Sequence, residues 1–467
     1  MHQIVIGLIF VATALVSGCT ANHLEIFPEL SDPALRSKTI APAQLREDVD
    51  AFVQGVIDRH PAVNRYAYLD TIYRKADSLK AELTKPMTRE AFFKKVGALS
   101  HLFNDGHTFL LWPYQEYQEL KKEGALTFPF NLDVFPEGVF LKHGYRLNGM
   151  MLPRGSQLVS VNAVGVNAIF SEAQQFVGGE TEVLRKHTVA ARFPMMLWAV
   201  FGFVDQFDLV INVDGEDRQV TISADDNWQQ EDPPTAGDNA DFAYRLVNDN
   251  TGYLKVATFD ISPEWFEKFI DETFLKINQQ NVKNLIVDIR ENSGGNTDTA
   301  TYLARYLASS PFQMVSSVRE RLNVDNRGLL NYRGNVGDVL EQKWKEWIEP
   351  MAPNRGFSGN SYVLISPLSY SSAIVFATAV KDNNIATLVG RETGGYANQT
   401  AQGNLFNLPN SELRAYVATR LLVRPSGDLQ TGVVKPDIRV SASEEQIKAG
   451  KDAAILAALK HAANMQK

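Results

Sequence analysis

Cysteine is almost absent from this 467-residue chain: Cys19 is the only one, so no disulfide can join two parts of it. Positive charge is scarce in the same sense. Lys and Arg number 46 against 54 Asp and Glu, the formal charge is -8, and no basic stripe of the kind that neutralises phosphates is present. A nucleic-acid partner is therefore not expected. No apolar run reaches the roughly 20 residues that a spanning helix needs; Ile4 to Val16 is apolar and stops short. His60, His101, His107, His143 and His187 show no HExxH or similar ligand spacing, so no metal is expected. The GxGxxG spacing of a dinucleotide site is missing, which leaves no cofactor implied, and GxSxG is missing too, which counts against an esterase-like hydrolase.

What is present is a globular composition, 45% hydrophobic, long enough for about three domains. The apolar start followed by small residues has the build of an export signal, residues 1–18. Val16-Ser17-Gly18-Cys19 resembles the lipobox of bacterial lipoproteins, which implies cleavage before Cys19 and its lipidation, hence a membrane attachment. Thr20 in place of Asp favours, by that resemblance, an outer-membrane lipoprotein facing the periplasm. Residues 19–42, polar and proline-bearing, read as a tether.

Residues 43–125 read as a helical domain. Leu45, Val49, Phe52, Val53, Val56 and Ile57 recur at three and four, a second pattern runs from Tyr66 to Leu83, and a third opens at Thr88 as a cap and carries Phe92, Phe93, Val96, Leu99 and Phe103. It stops at Asn104-Asp105-Gly106-His107-Thr108, which presents a histidine on a glycine turn. Residues 126–225 are short β-segments with a partly helical insertion from Ile169 to Phe203. The run from Leu152 to Asn162 resembles a PDZ signature, a module that binds extended peptides by strand addition. Residues 226–240 read as a linker.

Residues 241–467 read as α/β. Leu285 to Arg290 is a buried parallel strand that ends in Ser293-Gly294-Gly295, where paired glycines let backbone N–H groups approach a ligand. Tyr362 to Gly395 reads as strand, loop, helix, strand, and places Ser369 to Ser372 at a helix N-terminus. Phe312 to Gly359 is a charged excursion with a short helical stretch, LEQKWKEWI. Ser443 with Gln446 forms a capping-box start for a C-terminal helix in which Ile455, Leu456 and Leu459 pack inward.

A serine at a helix start, a glycine pair at a neighbouring strand end and a turn-held histidine supply nucleophile, oxyanion donors and base. On DGHT, the PDZ-like module, LIVDIRENSGG, SYSSA, LVGRETGG and GVVKPDI, the chain resembles the serine peptidases of the tail-specific, C-terminal-processing and tricorn type, on its tricorn-like branch. The resemblance implies a multidomain α/β protein with an N-terminal helical domain, a PDZ-like β domain and a crotonase-like ββα-spiral catalytic domain. It implies hydrolysis of peptide bonds in a peptide or protein substrate, with Ser371 as nucleophile, His107 as base, and oxyanion donors at Ser372 and at Gly294 or Gly295. Tyr396 stands where the processing branch has its lysine. Gly106 replaces the relay serine before the histidine, and Gln430 stands where a relay glutamate is expected, as a candidate for orienting the imidazole; Asp105 is the other acid at hand. The rival readings are a weak or inactive peptide-binding lipoprotein of the same fold, and an esterase-like hydrolase.

Overall fold

The computed structural model of the protein describes residues 27–465, apart from 148, 224, 225, 227, 232–240, 444, 447, 448 and 450. The export signal and Cys19 lie outside the described residues. Among the described residues no helix is long and apolar enough to cross a membrane.

The described part of the segment read as a tether is packed. Phe27 stacks on Tyr114 at 4.1 Å, Leu35 is buried, and Ile40 bridges to Met87. Behind it the apolar periodicity becomes helices Pro42–Arg59, Leu69–Glu82 and Arg89–Val96, the last capped by the Thr88 hydroxyl. From Gly97 the third helix tightens into a 3-10 turn, Gly97–Phe103. It ends at Asn104, whose left-handed conformation (φ 48°, ψ 42°) stops the helix.

The β region forms one antiparallel sheet built on Leu132–Phe135, Gly138–Leu141, Gln157–Val161, Phe207–Val213 and Glu216–Ile222, with helices inserted between the third and fourth of these strands. Its buried side chains and those of the helical region form a single apolar cluster. Gln229–Gln230, in the stretch read as linker, pairs with Tyr145–Leu147, forming with Met150–Leu152 a small sheet.

The C-terminal region is built on a six-stranded sheet in the order Phe242–Asn248, Thr251–Val256, Asn284–Asp288, Asn360–Ile365, Thr387–Gly390, Ile438–Arg439. The first pair is antiparallel and the others parallel. Its strands are covered on both faces, as near-continuous apolar runs require. Leu285, Val287, Val363 and Ile365 point to helices Pro263–Gln279, Thr297–Leu307 and Ser372–Asp382, while Ile286, Tyr362 and Leu364 point to helix Ala453–Met465. Ser443 and Gln446 do make the reciprocal pair, yet that last helix begins ten residues later on an Asp452 cap. It packs through Ala454, Ala458 and Ala462, and Leu456 is exposed.

A second sheet joins the halves. Arg414–Val423 pairs with Gln399–Asn407 on one side, and on the other with Ser317–Arg321 and with Thr108–Leu110, the strand that follows the histidine turn. The stretch LEQKWKEWI is not a helix. Val339–Lys343 pairs with Ser317–Arg321, and Arg319 meets Glu341 across that pair, so tertiary pairing overrides helix-friendly composition.

Candidate active site

Ser371 sits between strand Asn360–Ile365 and helix Ser372–Asp382. The loop before it is pinned: Ser369, fully buried, donates its hydroxyl to the Ile289 carbonyl, and the Tyr370 N–H donates to Asn292 O. The turn is sharp enough to force Ser371 to φ 53°, ψ −124°, a region that side chains rarely occupy. Its hydroxyl does not cap the helix. It lies 3.0 Å from His107 Nε2 instead. This is a nucleophile elbow built without the GxSxG sequence.

His107 is held by its own turn. The Asp105 carboxylate accepts the His107 N–H and the Thr108 hydroxyl, and Thr108 then pairs into the second sheet opposite Val417. His107 Nδ1 faces two hydroxyls, Thr400 Oγ1 at 3.0 Å and Tyr370 Oη at 3.2 Å. Thr400 donates its one proton to Asp105 Oδ1 at 2.6 Å, so its oxygen must accept from Nδ1–H. That assignment leaves the Nε2 lone pair for the Ser371 proton. Burial lowers the His107 pKa below its ordinary value, against the opposing charge of Asp105, which keeps the ring neutral and basic near neutral pH.

Asp105 is fully buried and is the anionic end of this chain. His60 donates to it from Nε2 at 3.1 Å, because His60 Nδ1 already accepts the Ala62 N–H. Burial pushes the Asp105 carboxyl up. Its hydrogen bond from His60 and the bonds from Thr108 and its neighbours outweigh that and hold it well below the usual carboxylate range. A second buried acid, Glu180, accepts from Tyr370 Oη and from Gln399 Nε2, each at 3.1 Å. Gln399 in turn accepts the Ser371 N–H. Burial and the nearby Asp105 push Glu180 up to about 8.

Gly106 departs from the expected relay serine for a steric reason: a Cβ there would lie 2.4 Å from Tyr370 Oη. The tyrosine hydroxyl occupies the space beside Nδ1 that a serine would need. Gln430 is not at the imidazole. It is exposed, beyond the end of strand Arg414–Val423, where its backbone bonds to Asp428 and Asn398. The place facing Nδ1 belongs to Thr400 and Tyr370, which sequence reading had not singled out; both are local to motif stretches, but their approach to His107 spans more than 260 residues.

Gly294 packs directly on the nucleophile, where a Cβ would fall 2.5 Å from Ser371 Cβ, and its φ of 109° suits glycine. Its N–H is engaged by Asn292 Oδ1 at 2.9 Å. Ser372 is buried at the first turn of the helix, and its hydroxyl has no partner among the described residues. Lys381 lies at the far end of that helix, bonded to Asp437, and Tyr396 packs near Tyr66. Neither reaches Ser371. Among the described residues no group of His, Cys, Asp and Glu is placed to hold a metal ion.

Ser371, His107, the glycine pair and Thr400 open onto a cleft of about 380 Å³. Mature CPAF complexed with lactacystin has a similar fold, with a TM-score of 0.65 at 14% identity over 91% of this chain and 98% of that one. A protein from Parabacteroides merdae is similar at a TM-score of 0.51 and 16% identity, over 91% of this chain and 97% of the other. Residues 250–440 match peptidase family S41. Ser371, the Gly294–Gly295 turn and Thr400 all fall within that match, and the chain thus carries a peptidase family S41 domain.

Proposed function

We propose that the protein is a serine peptidase of the cell envelope that hydrolyses peptides or unfolded protein tails by Ser–His acyl transfer, tethered to the outer membrane through lipidated Cys19 and facing the periplasm. The observation that carries the chemistry is the 3.0 Å contact between Ser371 Oγ and His107 Nε2 at a strained helix start.

In this reading Ser371 Oγ attacks the scissile carbonyl while His107 Nε2 takes its proton. The imidazolium that forms donates from Nδ1 to Thr400, and Thr400 passes the interaction to the ionised Asp105. The oxyanion is received at the start of helix Ser372–Asp382 by the Ser372 N–H, with Gly295 as the second donor, because Gly294 already donates to Asn292. His107 then gives its proton to the leaving amine, and water enters by the reverse route to release the acyl fragment. The test is digestion of a denatured protein and a mixed peptide pool followed by mass spectrometry. The wild type should cut, and both Ser371→Ala and His107→Ala should lose at least about a hundredfold in rate. Retained cleavage in Ser371→Ala would remove the proposal.

A further inference from the structure

His107 Nδ1 faces two hydroxyls, and Thr400 can only accept there because its proton goes to Asp105. Tyr370 is a different case. A phenol can turn its O–H toward Nδ1 and donate, which would favour the proton on Nε2 and leave the imidazole no lone pair for Ser371. The tyrosine ring cannot move aside to avoid that choice. It stacks on the imidazole with centroids 4.9 Å apart and is boxed by two glycines. A Cβ at Gly106 would lie 2.4 Å from its Oη, and one at Gly395 would lie 2.5 Å from its ring edge. What remains adjustable is the direction of its O–H.

Glu180 sets that direction. It is 5% exposed, in the loop before helix Glu182–Ala191. Thr181 pins the loop, donating its hydroxyl to the Gly394 carbonyl at 2.6 Å and accepting from Leu184 N. Both contacts of the Glu180 carboxyl converge on one oxygen. Oε1 meets Tyr370 Oη and Gln399 Nε2, each at 3.1 Å, while Oε2 has no partner among the described residues. Gln399 presents its NH2 group to Glu180, because its oxygen already accepts the Ser371 N–H. Burial and the nearby Asp105 favour the neutral carboxyl, whose proton then belongs on Oε2, away from both contacts. Oε1 is therefore an acceptor in either charge state, Tyr370 donates to it, and the phenol lone pair is turned to Nδ1.

We infer that Glu180 is a positioning residue of the active site: by taking the Tyr370 proton it keeps His107 in the Nδ1–H tautomer, the neutral form that can accept from Ser371. Two buried acids from different parts of the chain do matching work. Asp105 holds the Thr400 proton and Glu180 the Tyr370 proton, so both hydroxyls accept from the same ring N–H. The inference rests on the acyl-transfer reading for its role in turnover, whereas the tautomer itself is measured without turnover.

The test is nitrogen NMR on protein carrying isotope-labelled histidine in the Ser371→Ala background, at a pH where the ring is neutral, with His107→Ala added to assign the signal. The Ser371→Ala protein should show Nδ1 protonated and Nε2 bare. Glu180→Leu cannot take the phenol proton and should raise the Nε2–H share by about tenfold, the effect of one hydrogen bond. Glu180→Gln retains an acceptor oxygen and should keep the native tautomer. Combining Glu180→Leu with Tyr370→Phe removes the competing donor, so the native tautomer should return although more has been deleted. A role confined to packing gives no such recovery. With Ser371 restored, fluorophosphonate labelling should slow by about tenfold in Glu180→Leu, stay near the wild type in Glu180→Gln and recover in part in the combined variant. A bare Nδ1 in the protein with native Glu180 overturns the inference, and that result does not depend on whether Glu180→Leu folds. So does a tautomer unmoved by Glu180→Leu, or no recovery in the combined variant. Tautomers that behave as stated in a protein that fluorophosphonate never labels would count against the peptidase reading alone.

Discussion

Thr400 has one proton to give, and Asp105 takes it; the whole orientation of His107 depends on that fact. Replacing Thr400 with Val keeps the shape and removes both the acceptor for Nδ1–H and the link to Asp105. Tyr370 remains as a partner, so the loss is that of a single bond to a developing charge. The expected drop in kcat is about 10–100-fold, with KM changed less, and Thr400→Ser should recover most of it. A Val variant with wild-type kcat would leave Thr400 a packing residue. At this scale the sequence is legible where a residue carries its own local signal. Ser371 stands before an Ala-rich helix and His107 on a glycine turn, and the structure places them together. Thr400, Tyr370, His60 and Glu180 carry no such signal, since each acquires its contact from a distant part of the chain. Gly106 looks like a defect in the relay until Tyr370 is seen in the space beside it.

Elements decide which of these groups are buried together. The loop between Phe176 and Thr181 brings Glu180 against Tyr370 and Gln399, and Gly178 lets it pass the histidine turn, where a Cβ would lie 2.4 Å from the Asp105 carbonyl. One consequence is measurable as stability. The Glu180 carboxyl is raised from an ordinary 4.5 to about 8 in the folded protein, so between those values the unfolded chain has released a proton that the folded one retains. Its contribution is complete below about pH 4.5 and is lost as pH rises toward 8, by up to about 1.4 kcal/mol per pH unit. Glu180→Gln should flatten that part of the slope in urea unfolding between pH 5 and 8. An identical slope in the variant would mean that the carboxyl is ionised in the fold. Element boundaries were legible where apolar spacing was regular, as in Pro42–Arg59 and Asn284–Asp288. The stretch 339–343 was misread because its charged, exposed residues suit a helix, while the partner that makes it a strand lies outside it in sequence.

The whole molecule is organised so that the base comes from the turn before strand Thr108–Leu110 of one sheet and the nucleophile from the helix start after strand Asn360–Ile365 of the other. Strand Thr108–Leu110 leaves the helical region to pair with Arg414–Val423, and the apolar cluster of the helical region continues into Leu408, Leu413, Ala415 and Val417. His107 thereby precedes a strand of the same sheet that carries Thr400. The joining of the regions could not be read from the sequence, because it depends on pairing across about 300 residues. The account is tested most directly by intact-mass measurement after exposure to a fluorophosphonate. One adduct is predicted on the wild type, none on Ser371→Ala, and labelling slowed by about a hundredfold or more in His107→Ala. An adduct that persists in Ser371→Ala, or no adduct on the folded wild type, would contradict it.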